Sequence, residues 1–204
     1  MAHHRKALAA AVAVNTAIVA VELAAGWQAG SLSLVMDGVH NFSDELALLA
    51  LYLAFVLPQG LSRNLLRSAN LFNSLGLLAV SGLVLWQAVE RILQPVPVLG
   101  WVAVIVGLGA AAANWAVARL LRRPSRNNAA VRLAYLHNLG DAYASLAPVV
   151  AGVLVSASGR SFFDPLVAGG IAAWIIVSTV REVLASRDEL ISPEKLVCGH
   201  AEGD

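Results

Sequence analysis

Charge is scarce in this sequence. Lys, Arg, Asp and Glu make up 13% of its 204 residues, against about 25% in soluble domains. The formal net charge is only +1, which argues against nucleic-acid binding, since that needs a concentrated basic face to displace phosphate counterions. Cysteine is nearly missing as well. Cys198, in the polar C-terminal stretch, is the single one, so neither an intramolecular disulfide nor a metal site built on cysteine clusters can form. No cleavage site follows the basic start MAHHRK before Glu22, so this stretch reads as the start of a span rather than a removable signal.

Apolar residues are what remain. They make up 58% of the chain, and the mean hydropathy is +0.71. A spanning helix needs roughly 20 apolar residues, which leaves room for about six spans and little else. Apolar segments bounded by charge, Gly and Pro fall at about residues 7–28, 30–56, 69–90, 98–119, 129–156 and 162–185. The expected fold class is an all-α integral membrane protein, a bundle of six transmembrane helices in the lipid bilayer. Short connections make sequential neighbours antiparallel. With both termini cytoplasmic, the inside segments hold Arg5, Lys6, Arg63, Arg67, Arg119, Arg122, Arg123, Arg126, Arg132, Arg181, Arg187 and Lys195, and the other side holds only Arg91 and Arg160. That asymmetry sets the expected orientation. Trp27, Trp86, Trp101 and Trp174 are expected near span ends as interfacial anchors. Small-residue stretches, Gly76 to Gly82 and Gly107 to Ala113, are expected to support close helix packing.

Ionisable residues inside a span cost several kcal/mol and need a partner, a water-filled cavity or a function. The second span carries Asp37, His40 and Asp44, and the fifth carries His137 and Asp141. HNFSD and HNLGD are one pattern written twice. Each His–Asp pair is four residues apart and shares a helix face. Because the second and fifth spans run in opposite senses, they can close two nitrogen and two oxygen donors around one ion, a set that suits tetrahedral zinc. A single such pair reads equally well as a packing hydrogen bond, and repetition at one spacing favours the metal site. Asp37 is either an outer acceptor for the His40 ring or a group facing a solvent vestibule. Asn41 and Asn138 are assigned to interhelical hydrogen bonds, Glu22 and Asn15 to packing or path lining, and Asp164-Pro165 to a helix N-terminus. His3, His4, Cys198 and His200 are read as parts of solvated tails.

Read together, GSLSLVMDGVHNFSD and LHNLGDAYAS resemble the cation diffusion facilitator family, the efflux-type zinc transporters. The likeness covers nearly the whole chain. It is supported by the run from Asn15 and Glu22 into Gly30-Ser31-Leu32-Ser33 and by Asp164-Pro165. The resemblance implies that His40, Asp44, His137 and Asp141 form the transport site, with zinc preferred and cadmium accepted. It also implies exchange of cytoplasmic metal for protons by alternating access, a homodimer, and an address in the bacterial inner membrane. Zinc is then the cargo, and no cofactor or catalytic residue is expected. Residues 1–187 are assigned to the cation-efflux transmembrane domain and 188–204 to a short cytoplasmic tail, without the soluble metal-binding domain usual in relatives. The stretch PQGLSRNLLRSANLF after the second span lacks the usual histidine and acidic residues. RLLRRPSRNNAAVR stands where many relatives carry a histidine-rich loop, and reads as a headgroup-facing anchor. Two rival classes remain. An intramembrane metal-dependent hydrolase would need an open coordination position and a general base, and no HExxH is present. A helical scaffold would use the polar pairs for packing alone.

Overall fold

The computed structural model describes residues 2–56, 59–126 and 129–185. Among the described residues seven α-helices follow one another: α1 (Ala2–Ala29), α2 (Leu32–Val56), α3 (Gln59–Leu93), α4 (Gly100–Leu121), α5 (Ala129–Ala144), α6 (Leu146–Ser158) and α7 (Phe163–Ala185). A 3-10 turn at Pro124–Arg126 precedes α5. Five stretches are long and apolar enough to cross a bilayer, and one of them, Ala134–Ser158, combines α5 and α6. With α2, which carries Asp37, Asp44 and Glu45, they make six crossings, so the all-α membrane bundle expected from hydropathy is what the chain builds.

The expected single helix over 129–156 is in fact two, joined at Ser145. Pro148 explains the break: it has no N–H to donate, and its ring crowds the carbonyl four residues back, on Ala144. One bond still bridges the joint, from the Ser145 N–H to the Asp141 carbonyl at 2.9 Å. The third span also starts earlier than its hydropathy suggests, because α3 is helical from Gln59. Backbone hydrogen bonding continues through the polar turn SRNLLR, where hydropathy sees a loop.

Helix α1 packs on α2 and α4, and α4 also packs on α5 and α6. Helix α3 pairs with α7, and both lean on α2. Two apolar clusters hold these groups: Leu8, Leu48, Val117, Leu121 and Val131 join α1, α2, α4 and α5, while Met36, Val84, Ala88, Ala168 and Ile175 join α2, α3 and α7. The surface is apolar, with Trp27, Trp86, Trp101 and Leu93 exposed, and many buried residues are polar. This inversion of the soluble pattern is what a lipid solvent selects.

Two glycines set the closest helix approach. A Cβ at Gly100 would lie 2.5 Å from the Gly152 carbonyl oxygen, and one at Gly152 would strike the carbonyl of Gly100. Gly107 likewise packs against Val149 and Ser145, as the small-residue reading expects. Gly76 and Gly82 do not, since a Cβ at either would meet nothing within 4 Å. Those two glycines face outward, while Leu77, Val80 and the buried Ser81 of the same stretch turn inward.

Asp164 corrects a further expectation. It lies in the first turn of α7, yet its carboxylate closes the start of α2. It accepts hydrogen bonds from Ser31 Oγ at 2.7 Å, Ser33 Oγ at 2.6 Å and the Leu32 N–H at 2.6 Å. The start of a helix presents unsatisfied N–H groups and partial positive charge, so a buried anion from another helix is well placed there. Arg91 Nη1 adds a 2.6 Å bond to the Gly30 carbonyl. The α1–α2 turn is thereby tied to both α3 and α7.

Candidate metal centre

The two His–Asp pairs meet. Helices α2 and α5 cross in opposite senses, so the histidine of each faces the aspartate of the other. His137 Nε2 lies 2.6 Å from Asp44 Oδ1, and His40 Nε2 lies 3.5 Å from Asp141 Oδ1. Within each helix the separations are 3.7 Å for His40–Asp44 and 4.0 Å for His137–Asp141. A tetrahedral zinc site with bonds of about 2.0 Å has donor–donor edges of about 3.3 Å. The observed separations bracket that value. Ligand atoms of His40, Asp44 and Asp141 lie within 4.8 Å of one another, and His137 approaches this trio through Asp44.

The two carboxylates are orphaned in a telling way. Asp44 Oδ2 and Asp141 Oδ2 are buried without a hydrogen-bond partner among the described residues. Two nearly dry carboxylates facing each other between two imidazoles need a cation, and two imidazole nitrogens plus two carboxylate oxygens are a fitting donor set for a divalent one. Burial is uneven. The His40 side chain is 10% exposed and that of His137 49%, so the site is open on the His137 side.

Of the supporting residues, Asn41 does what the sequence suggests. Its Nδ2 donates to Glu22 Oε2 on α1 at 2.7 Å, and its Oδ1 accepts from Asn114 Nδ2 on α4 at 3.1 Å. Asn138 does not, because its Nδ2 bonds back to the Ala134 carbonyl of its own helix at 2.9 Å. Neither reading of Asp37 survives. It is buried at 2% exposure, so it faces no vestibule, and His40 Nδ1 has no hydrogen-bond partner among the described residues. Asp37 instead sits beside Glu22 and Ser145. Glu22 is fully buried and lines the α1–α2 packing.

Trp174 is a residue that sequence reasoning misplaced. Rather than marking a span end it lies midway along α7, with its ring edge-on to His40 at 6.2 Å between centroids. The His40 and His137 rings stand at the same separation, 6.2 Å. Asn114 and Ser145 went unassigned, although a lone Asn in the Ala-rich α4 was a readable signal. Cys198 and His200 lie outside the described residues, as does the stretch 188–204, and the same holds for the side chains of His3 and His4.

Residues 8–191 match the family model of the cation efflux transmembrane domain. The chain belongs to that family. Cation efflux relatives cover most of it. The zinc transporter ZitB of Yersinia pestis is 29% identical over 196 residues, which span 91% of this chain and 62% of the relative. ZitB of Escherichia coli strain K12 is 29% identical over 191 residues, 89% of this chain and 61% of the relative. The cadmium, cobalt and zinc/H(+)-K(+) antiporter of Bacillus subtilis strain 168 is 25% identical over 186 residues, 86% of this chain and 60% of the relative. The chain thus spans about three fifths of the length of these curated relatives. The match to this cation efflux family agrees with the resemblance drawn from HNFSD and HNLGD.

Proposed function

We propose that this chain moves zinc, with cadmium as a second cargo, out of the cytoplasm in exchange for protons, through a site formed by His40, Asp44, His137 and Asp141. One observation carries the reading: two buried carboxylate oxygens without partners face two imidazoles across antiparallel helices. The relatives named for zinc, cadmium and proton exchange support it.

The chemistry follows from the ligands. Metal binding needs neutral imidazole and ionised carboxylate, so protons and metal compete for the same four groups. The arginine-rich connections put both termini in the cytoplasm. In that orientation His137 and Asp44 lie nearer the cytoplasm than His40 and Asp141, and the half-exposed His137 is the entry-side ligand. Four protein donors fill a tetrahedron and leave no open position for an activated water, so the site suits a carrier rather than a hydrolase. The working unit is a homodimer in the bacterial inner membrane, formed by span-to-span packing over residues 1–187.

Zinc binding by the purified full chain tests the site. Wild type is expected to bind one zinc per chain, and His40→Ala and Asp44→Ala are expected to lose it. Glu45→Gln, one residue beyond Asp44 but bonded to Thr16, is expected to keep it. Equal binding by wild type and Asp44→Ala would move the cargo site elsewhere.

A further inference from the structure

Next to the four-ligand site lies a second acidic group that the reading above does not use. Glu22 on α1 and Asp37 on α2 are 0% and 2% exposed and lie beside each other. Gly38 makes the approach possible, since a Cβ there would lie 3.0 Å from Glu22 Cβ. Glu22 Oε2 is satisfied by Asn41, which is itself held by Asn114, and Asn114 Nδ2 also reaches Ser145 Oγ at 3.3 Å. Glu22 Oε1 and Asp37 Oδ2 have no partner among the described residues.

The groups facing this pair are accounted for element by element. Helix α2 brings Asp37 itself, and beyond it the ligands His40 and Asp44. Helix α4 brings neutral Asn114. The α5–α6 joint brings neutral Ser145, with Asp141 beyond. Among the described residues no lysine or arginine pairs with either carboxyl group. Two adjacent carboxyl groups sealed from water without a counter-charge cannot both be ionised, so the pair must hold something positive.

We infer that Glu22 and Asp37 form a second cation site, separate from the four metal ligands, that holds one shared proton and gives it up when zinc occupies the four-ligand site. The ligand is a proton because the pair already has one amide donor, Asn41, and two carboxyl groups are too few to enclose a metal ion. Where zinc displaces fewer than two protons from its own four ligands, that site gains positive charge about one helical turn from Asp37, which favours the doubly ionised pair. The O–H bond then breaks and the proton leaves to water. This inference rests on the zinc reading above and deepens it, assigning part of the proton exchange to a residue on a helix that carries no ligand.

The test counts protons. The purified full chain is titrated with zinc in weak buffer containing a pH-indicator dye, alongside Glu22→Gln and a Glu45→Gln control. Glu22→Gln is expected to bind zinc within about threefold of wild type and to release about one proton fewer per zinc, while the control matches wild type. Infrared difference spectra supply a readout that needs no variant: a protonated-carboxyl band in the metal-free chain is expected to vanish on zinc addition. If Glu22→Gln fails to fold, that band and its response in Asp37→Asn decide the matter. Equal proton counts for wild type and Glu22→Gln, or no such band, would overturn the inference. So would a count that changes when potassium or sodium is replaced by choline, which would make a monovalent metal ion the occupant. If wild type binds no zinc, the cargo assignment falls, and the band in the metal-free chain still decides whether the pair holds a proton.

Discussion

Replacing Asp164 with alanine should loosen the fold at a point remote from the metal ligands. The carboxylate accepts three bonds of 2.6–2.7 Å at the start of α2 and is fully buried. Hydrogen bonds to a charged group are worth roughly 1.5–3 kcal/mol each. The loss is less than their sum, because Ser31 Oγ and Ser33 Oγ already stand 3.3 Å apart and can turn toward each other. The Leu32 N–H has no such recourse and is left buried without an acceptor. The net cost is then about 3–5 kcal/mol, a large share of the 5–15 kcal/mol that typically holds a domain together. In detergent, thermal unfolding followed by tryptophan fluorescence should drop by on the order of 10 °C. Asp164→Asn keeps one acceptor oxygen and should fall between that variant and wild type. Because α2 also carries His40 and Asp44, zinc affinity should fall along the same series. Melting unchanged in Asp164→Ala would show that the tie between α7 and α2 contributes nothing.

Three further outcomes follow from the same geometry. Gly152→Leu places a branched side chain where even a Cβ strikes the Gly100 carbonyl, so α4 and α6 must separate; a loss of about 2–3 kcal/mol should appear as lower folded yield and earlier unfolding, whereas Gly82→Leu, in open space, should behave as wild type. Asn41→Leu removes the bonds to Glu22 and Asn114 and should cost about 1–3 kcal/mol in the same assay. Zinc at 100 times its dissociation constant should stabilise wild type by about 2.7 kcal/mol, and chelation should reverse this; Asp44→Ala should show no shift with either addition.

The outline of the fold was legible because membrane spans obey one strong rule, an apolar run of bilayer length. Where it misled, backbone chemistry overrode hydropathy. Pro148 breaks the fifth span although its neighbours are uniformly apolar, and α3 continues through SRNLLR although that stretch is polar. The ligand constellation was legible because HNFSD and HNLGD repeat one spacing, and antiparallel crossing pairs each histidine with the other helix's aspartate.

Partnerships between distant helices were less accessible. Asp164 looks like a cap for its own helix, and nothing local points to Ser31 and Ser33 on α2. Asp37, one turn from His40, suggests a role toward that ring. Its actual neighbour, Glu22, depends on Gly38 letting α1 close in. Trp174 shows the same limit: tryptophan favours interfaces, but the register of α7 carries this one to mid-span beside His40.

The most direct test of the central claim is zinc-driven proton flux in liposomes containing the purified chain, with wild type compared to Asp141→Ala. Both proteins are first shown to be folded by their unfolding transitions. Wild type should exchange zinc for protons in proportion to the imposed gradient, and Asp141→Ala should move neither. Zinc movement undiminished in Asp141→Ala, or no exchange by folded wild type, would contradict the account and leave the paired histidines and aspartates as packing contacts.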